Sequence, residues 1–311
     1  MTVKQDYVKQ LNATAARYGK IENEIAKRSV AYLAEVKRGI AAELANVQGW
    51  EAYRLKALNA NIDRLIAEYE AKMAGALRAA FDGAATTGAQ AVTAPLGALG
   101  YDSGFFRPIM AQTNVALDFS AQLVQQISGE LRSTIDTQIR LAVMGNKSPA
   151  QAMQALTREL GPAETWGPYA KRARPARGIA ARSETIIRTE VQRVYNLSTY
   201  SQQLDAAERI DGLLKGWIAT ADARTRRGHL RAHMEYKDRP IPIAEPFIVY
   251  DIASNGAIRG KAKLMYPGDP SAPGQYTIQC RCRQITIHPN VGRVGSSLDG
   301  RIANVLKGQE K

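Results

Sequence analysis

Two runs of apolar residues at three-and-four spacing do most to limit what this chain can become. Leu33, Val36, Ile40, Leu44 and Val47 form the first, and Leu55, Leu58, Ile62, Leu65, Tyr69 and Leu77 the second. Such spacing returns an apolar side chain to the same helical face on every turn, and Lys, Arg and Glu fill the opposite face. The fold class expected is therefore mainly α. Long N-terminal helices over residues 21–47 and 55–77, a coiled coil or helical stalk, pack as a hairpin or dock on a partner. Gln48-Gly49-Trp50 between them marks a turn or kink. Abundant alanine and only 7% aromatic residues favour helix over sheet.

The middle of the chain is also expected to be helical. Gly, Ala and Thr dominate from Asp82 to Gly100, which reads as a poorly specified helix running into a loop. In that loop Phe105 and Phe106 are core plugs or a partner contact. Leu117, Val124, Ile127, Leu131, Ile135 and Ile139 make another stripe, ending at Gly145-Asn146. Ser148-Pro149-Ala150-Gln151 carries the marks of a helix start: Ser as N-cap, Pro at the first position, Gln completing a capping box. That helix is expected to stop at Leu160-Gly161-Pro162. Then comes a Pro-punctuated loop with Lys171, Arg172, Arg174 and Arg177, and a further helix from about Ala181.

After Gly212 the pattern shortens. Residues 216–219, 247–250, 277–279 and 283–287 read as strands, with a short helix between Thr220 and Glu235. The resulting division is a long-helix stalk over 1–104 and a helical domain over 105–211 with its basic loop at 162–180. A small α+β domain over 212–290 and a loose tail over 291–311 follow.

Charge and cysteine use narrow the functional classes. Against 29 acidic residues stand 42 Lys and Arg, a net charge of +13. A surplus of that size points to a polyanionic neighbour: nucleic acid, an acidic protein surface or a membrane surface. No apolar run approaches the ~18–20 residues of a membrane span, and the polar N-terminus is not a secretory signal. Two cysteines one residue apart exclude a disulfide framework and fit a reducing compartment. The basic loop has no interleaved acid. Lys171, Arg172, Arg174 and Arg177 are expected to contact phosphate without reading sequence, unless the loop is merely solvated or meets an acidic protein.

The rarest residue types gather near the end of the chain. Trp217, Asp222, Arg224, Arg226, His229 and His233 are followed by Asp269 and by Cys280, Arg281 and Cys282. Three readings are open. His229 and His233, one helical turn apart, with Cys280 and Cys282, make a tetrahedral zinc set. A Cys-x-Cys spacing on a regular strand, however, sends the sulfurs to opposite faces and demands a bend. Asp222, His229 and Cys280 can be written as a catalytic set, but no nucleophile signature surrounds them. Asp222, Arg224, Arg226, Asp269 and Arg281 can form a buried lattice of carboxylates and Arg forks that staples a small domain. A metal-free, hydrogen-bonded structural cluster of Trp217, Asp222, Arg224, Arg226, His229, Asp269, Cys280, Arg281 and Cys282 is the expectation, with no cofactor besides the zinc alternative.

These residues also carry a resemblance. Arg188-Thr189-Glu190, Asn196, Trp217 through Asp222, Arg224, Arg226, His229, Pro246-Phe247, Tyr266-Pro267-Gly268-Asp269-Pro270 and Cys280-Arg281-Cys282, in that order, resemble the phage Mu F-like head morphogenesis family. Its members are minor head proteins of tailed phages. The likeness covers roughly residues 145–290. It implies a structural, non-enzymatic virion protein in few copies inside the head near the portal vertex. It would bind the portal protein and viral genomic DNA, with the major capsid or scaffolding protein as a further contact, and assist head assembly and DNA delivery. Assembly would take place in the host cytoplasm. The domain also occurs joined to toxin modules; here the chain closes soon after the resembled region, so none is expected to follow. The alternatives are a metal-dependent hydrolase or nuclease-like enzyme using the His/Cys cluster, and a prophage-derived DNA-binding or toxin-related module.

Overall fold

A computed structural model describes residues 2–45, 52–102, 111–144, 148–159, 178–222 and 224–291. Its order begins with helices α1 (Val3–Ala45), α2 (Ala52–Gly97), α3 (Ala111–Val143), α4 (Pro149–Glu159) and α5 (Ile179–Ala207). Strand β1 (Leu214–Ile218), helix α6 (Arg227–Asp238) and strands β2 (Ile241–Pro242), β3 (Phe247–Ile252) and β4 (Ile258–Leu264) follow. A short helical turn, α7 (Gly274–Thr277), and β5 (Arg283–Ile287) complete it. The chain is mainly helical, with long N-terminal helices and a small C-terminal region of antiparallel strands, as the periodicity requires. No described helix is long and apolar enough to cross a membrane.

The residues sort into two compact units by contact rather than by order. One takes in Asn23–Ala80 and Leu117–Arg188, the other Met1–Glu22, Phe81–Ala116 and Thr189–Lys311. In the first, the expected stripes are the core: Leu33, Val36, Ile40 and Leu44 of α1, Leu58, Ile62, Tyr69 and Leu77 of α2, and Val124, Ile127, Leu131, Ile135 and Ile139 of α3 are buried. Glu35 meets Lys72 at 2.6 Å and Glu43 meets Asn61 at 2.9 Å. Rising positions on α1 thus face falling positions on α2, an antiparallel hairpin. The capping box at α4 forms as its sequence dictates: Gln151 N–H donates to Ser148 Oγ at 3.2 Å, and Ser148 N–H to Gln151 Oε1 at 2.8 Å.

In the second unit the small residues of α2 acquire a reason. Ala84, Ala85, Ala91, Val92 and Leu96 are buried. A Cβ on Gly88 would stand 2.3 Å from the Tyr195 carbonyl oxygen. Ser198 Oγ donates to Ala85 O at 2.6 Å and Thr199 Oγ1 to Gly88 O at 3.1 Å. The stretch that looked poorly specified is the surface that lets α5 lie close against α2, and the helix continues to Gly97.

The strands form two small antiparallel sheets, β2-β1-β5 and β3-β4. Register in the first runs from Leu214 opposite Ile287 to Ile218 opposite Arg283. Trp217, Leu230, Tyr236, Phe247, Val249, Leu264, Tyr276, Cys280 and Cys282 share one core. A second cluster joins Tyr7, Leu11, Val92, Leu96, Ile210, Leu213, Ile243 and Val291, so the first residue assigned to the loose tail is packed. Residues 277–279 are not a strand. Thr277 ends α7, and Gln279 takes the left-handed conformation at φ 54°. Strand β4 escaped the sequence reading because Ile258-Arg-Gly-Lys-Ala-Lys-Leu is too charged to show an apolar run. Gln48-Gly49-Trp50, Phe105, Phe106, Gly145-Asn146, Leu160 and the tail beyond Val291 lie outside the described residues.

Candidate metal centre and its polar frame

The site begins with an approach that only glycine permits. A Cβ on Gly228 would sit 1.7 Å from the Tyr250 carbonyl oxygen, so α6 lies directly along β3. That contact turns the buried face of α6, with His229, Leu230, Ala232, His233 and Tyr236, into the core. From the other side, the left-handed turn at Gln279 supplies the bend a Cys-x-Cys pair needs. Cys280 and Cys282 fall in irregular chain just before β5, rather than on alternate faces of a strand. Both sulfurs therefore reach His229 Nδ1, Cys282 Sγ at 3.3 Å and Cys280 Sγ at 3.6 Å.

One ligand atom from each of His229, Cys280 and Cys282 lies within 4.8 Å of the others, a group that could hold a metal ion. All three residues are 2–3% exposed. The spacing suits a cation. Bonds of about 2.3 Å to sulfur and 2.0–2.1 Å to nitrogen at tetrahedral angles put the donors roughly 3.5 Å apart. The two thiols do not titrate alike. A hydrogen bond from Cys282, with the His229 charge beside it, holds the Cys280 thiol well below its usual range, while burial and the adjacent Cys280 push Cys282 up. Trp217, fully buried, stands edge-on to His229 at 5.5 Å between ring centroids.

His233 does not join them. Although one helical turn from His229, its Nδ1 faces the end of β1, 3.1 Å from the Trp217 carbonyl oxygen and 3.4 Å from the Ala219 amide nitrogen, so the ring ties α6 to β1 through whichever of the two its tautomer allows. The four-residue zinc set weighed as an alternative is thus reduced to three residues that could hold a metal ion.

The expected lattice separates into two devices. Asp222 Oδ1 accepts from Arg224 N–H at 3.0 Å and from Thr225 Oγ1 at 3.2 Å, and both its oxygens receive the fork of Arg281. This holds the entry to α6, and Arg226 adds a bond to Ile278 O. The Arg224 guanidinium stays 3.9 Å away and exposed. Burial pushes the Asp222 carboxyl up, but hydrogen bonds from Arg281 and its charge leave it below the usual value. With side-chain exposures of 37% for Asp222 and 21% for Arg281, the pair is half-buried, not the buried lattice expected. Asp269 lies elsewhere. Its carboxylate accepts from Met265 N–H at 2.8 Å and from Ser271 N–H and Oγ at 2.9 and 2.7 Å, pinning the Tyr266–Ser271 turn.

Sequence reasoning missed the frame behind the cysteines. Gln192 Nε2 donates to Cys282 O at 2.6 Å, and Asn196 Nδ2 to Cys282 O at 3.1 Å and to Pro267 O at 2.8 Å. Gln284 Nε2 returns to Asn196 O at 2.9 Å. Arg193 Nε holds Gly268 O at 3.1 Å, and Thr189 Oγ1 accepts from Gln279 N–H at 3.0 Å. Gln192, Asn196, Thr199 and Gln203 recur at helical spacing and are all buried, a polar stripe the sequence does display. Lys215 is the other omission. It is fully buried, donates from Nζ to Met265 O at 2.7 Å and sits under 5 Å from the ring centroids of Tyr200 and Phe247.

The basic loop residues Lys171, Arg172, Arg174 and Arg177 lie outside the described residues. Comparison with known protein families, with curated proteins and with solved structures finds no match.

Proposed function

We propose that the chain is a structural minor head protein of a tailed phage. It would be held in few copies at the portal vertex inside the capsid, against the portal protein and the packaged DNA, and would assist head assembly and DNA delivery. One observation carries the reading. Several of the short motifs behind the resemblance, scattered from Thr189 to Cys282, are hydrogen-bonded to one another or to the chain beside them: Asn196 with Pro267 and Cys282, Asp222 with Arg281, and Thr189 with Gln279 just before Cys280. Motifs that depend on one another for their geometry make one signature rather than separate accidents. The charge of +13 suits a neighbour of packaged DNA. Particles made from the genome that encodes the chain should contain it in few copies per filled head by quantitative mass spectrometry. Deleting its gene should lower the yield of filled or infectious particles. Its absence from particles, with yield unchanged, counts against the reading.

For the metal, the donor chemistry favours zinc at His229, Cys280 and Cys282 in a structural role. Two thiolates and an imidazole suit that ion, and its fourth position would be left to water or another group. The depth of the three donors, each 2–3% exposed, favours the structural role. It would fasten α6 to the chain before β5. Elemental analysis of purified protein should give one zinc per chain, lost in Cys280→Ser and retained in His233→Gln. Nuclease or hydrolase activity that follows the bound metal would favour the enzymatic alternative.

A further inference from the structure

The β3–β4 ribbon has two faces of opposite character. Directly opposed residues of an antiparallel pair share a face. Phe247 opposite Leu264 and Val249 opposite Ala262 turn inward to the core around Trp217. Ile248 opposite Lys263 and Tyr250 opposite Lys261 turn outward. Both lysines are exposed, and neither has a carboxylate partner among the described residues. Arg259, at the bulge next to them, is different: its guanidinium reaches Asp251 at 3.4 Å. A third cation comes from another element. The exposed Arg231 of α6 places its guanidinium 4.2 Å from the centroid of the Tyr250 ring.

The edges of the ribbon are also unequal. On the β3 side, Tyr236 Oη accepts from Ile248 N–H at 2.7 Å and α6 lies against the Tyr250 carbonyl, so that edge is closed. On the other side β4 ends the sheet. Lysines on an edge strand discourage strand-to-strand pairing. That role does not call for an arginine on a neighbouring helix, held in place by an aromatic ring beside them.

We propose that this outward face, Lys261 and Lys263 of β4 with the Arg231–Tyr250 stack, docks duplex DNA through its phosphates. The inference rests on the head-protein reading and gives it a DNA-contacting surface. A two-stranded ribbon is narrow enough for a major groove about 12 Å wide. Lys and Arg contacts to phosphate carry no sequence information, which suits a protein that must face any stretch of a packaged genome. Ile248 and Tyr250 lie between the cations and offer apolar contact to the sugars.

The test uses the full chain and a labelled mixed-sequence duplex, with fluorescence anisotropy followed over increasing salt. Each phosphate contact contributes about −0.9 to the slope of log affinity against log salt. The Lys261→Gln/Lys263→Gln variant should lose about two from the magnitude of that slope, and adding Arg231→Gln about one more. Lys261→Arg/Lys263→Arg should restore the slope. The same differences should persist when Lys171, Arg172, Arg174 and Arg177 are all replaced by Ala, because the ribbon acts separately from that loop. An unchanged affinity and slope in the triple variant, with its circular dichroism intact, overturns the proposal. So does binding to polyglutamate with none to the duplex, which would assign the face to an acidic protein. If particles contain the chain but the slope does not move, only this surface falls. If the slope moves but particles lack the chain, the head-protein reading falls instead.

Discussion

Two regions of this molecule are held together by different physics. In Asn23–Ala80 and Leu117–Arg188, apolar stripes meet one another and the charges stay outside, as in the exposed pairs Arg64–Glu68 and Lys72–Glu35. Around β1, α6 and β5, buried polar groups set the geometry: two amides on the Cys282 carbonyl, an imidazole between two sulfurs, and a lysine roofed by two rings. An apolar stripe constrains volume and little else, so many residues can fill it. A polar frame constrains direction, and a lost partner leaves a buried group unsatisfied. The first kind of region should tolerate substitution and the second should not.

The sharpest contrast lies between two glycines. Gly228→Ala would drive a Cβ into the Tyr250 carbonyl, a backbone atom that moves only if α6 leaves β3. Loss of about 4 kcal/mol or more is expected, seen as early loss of Trp217 burial in urea. Gly75 of α2 has nothing within 4 Å of an added Cβ. Gly75→Ala should stabilise by roughly 0.5–1 kcal/mol, through helix propensity alone. Equal effects at the two positions would erase the distinction.

Asn196→Ala comes next, at about 1–3 kcal/mol, because the Pro267 carbonyl loses its donor and the Cys282 carbonyl one of two. Asp222→Ala should cost less, on the order of 1 kcal/mol, since the pair with Arg281 is half-exposed and screened. Chemical denaturation of both variants ranks them; the reverse order would make the salt bridge, not the amide frame, the principal clamp.

Lys215 sharpens the comparison through pH. Burial lowers its pKa to about 7, against the opposing pull of Asp269 and Glu245. An unfolded lysine titrates near 10.4. Between those values the unfolded chain binds a proton that the folded chain lacks, so stability rises with pH across the window. It is fully present above the unfolded value and lost as pH falls to about 7. The slope from this one group is at most about 1.4 kcal/mol per pH unit. Lys215→Met should flatten the curve relative to the unaltered chain between pH 7 and 10. Parallel curves would mean that the two rings and the Met265 carbonyl keep the ammonium charged.

What could be read from sequence follows the same divide. Leu33, Val36, Ile40 and Leu44, or Ile127, Leu131 and Ile135, announce their burial by period. Ser148 and Gln151 announce a cap, because both signals are local. The convergence of His229 with Cys280 and Cys282 was legible as a cluster of rare residues, and its geometry was not. That geometry depends on the left-handed turn at Gln279 and the missing Cβ at Gly228, neither of which a spacing rule contains. His233 misled for the same reason: sharing a helical face with His229 does not fix which backbone its ring will meet. Strand β4 stayed hidden because its apolar face is short and its other face is lysine.

The most direct measurement of the central claim is a cryo-EM map of the portal vertex, in particles made from the genome that encodes this chain. The account expects density for the small domain inside the head beside the portal, with few copies per vertex and the β3–β4 ribbon turned toward DNA. A vertex fully explained by other proteins, in particles otherwise competent and filled, would contradict it.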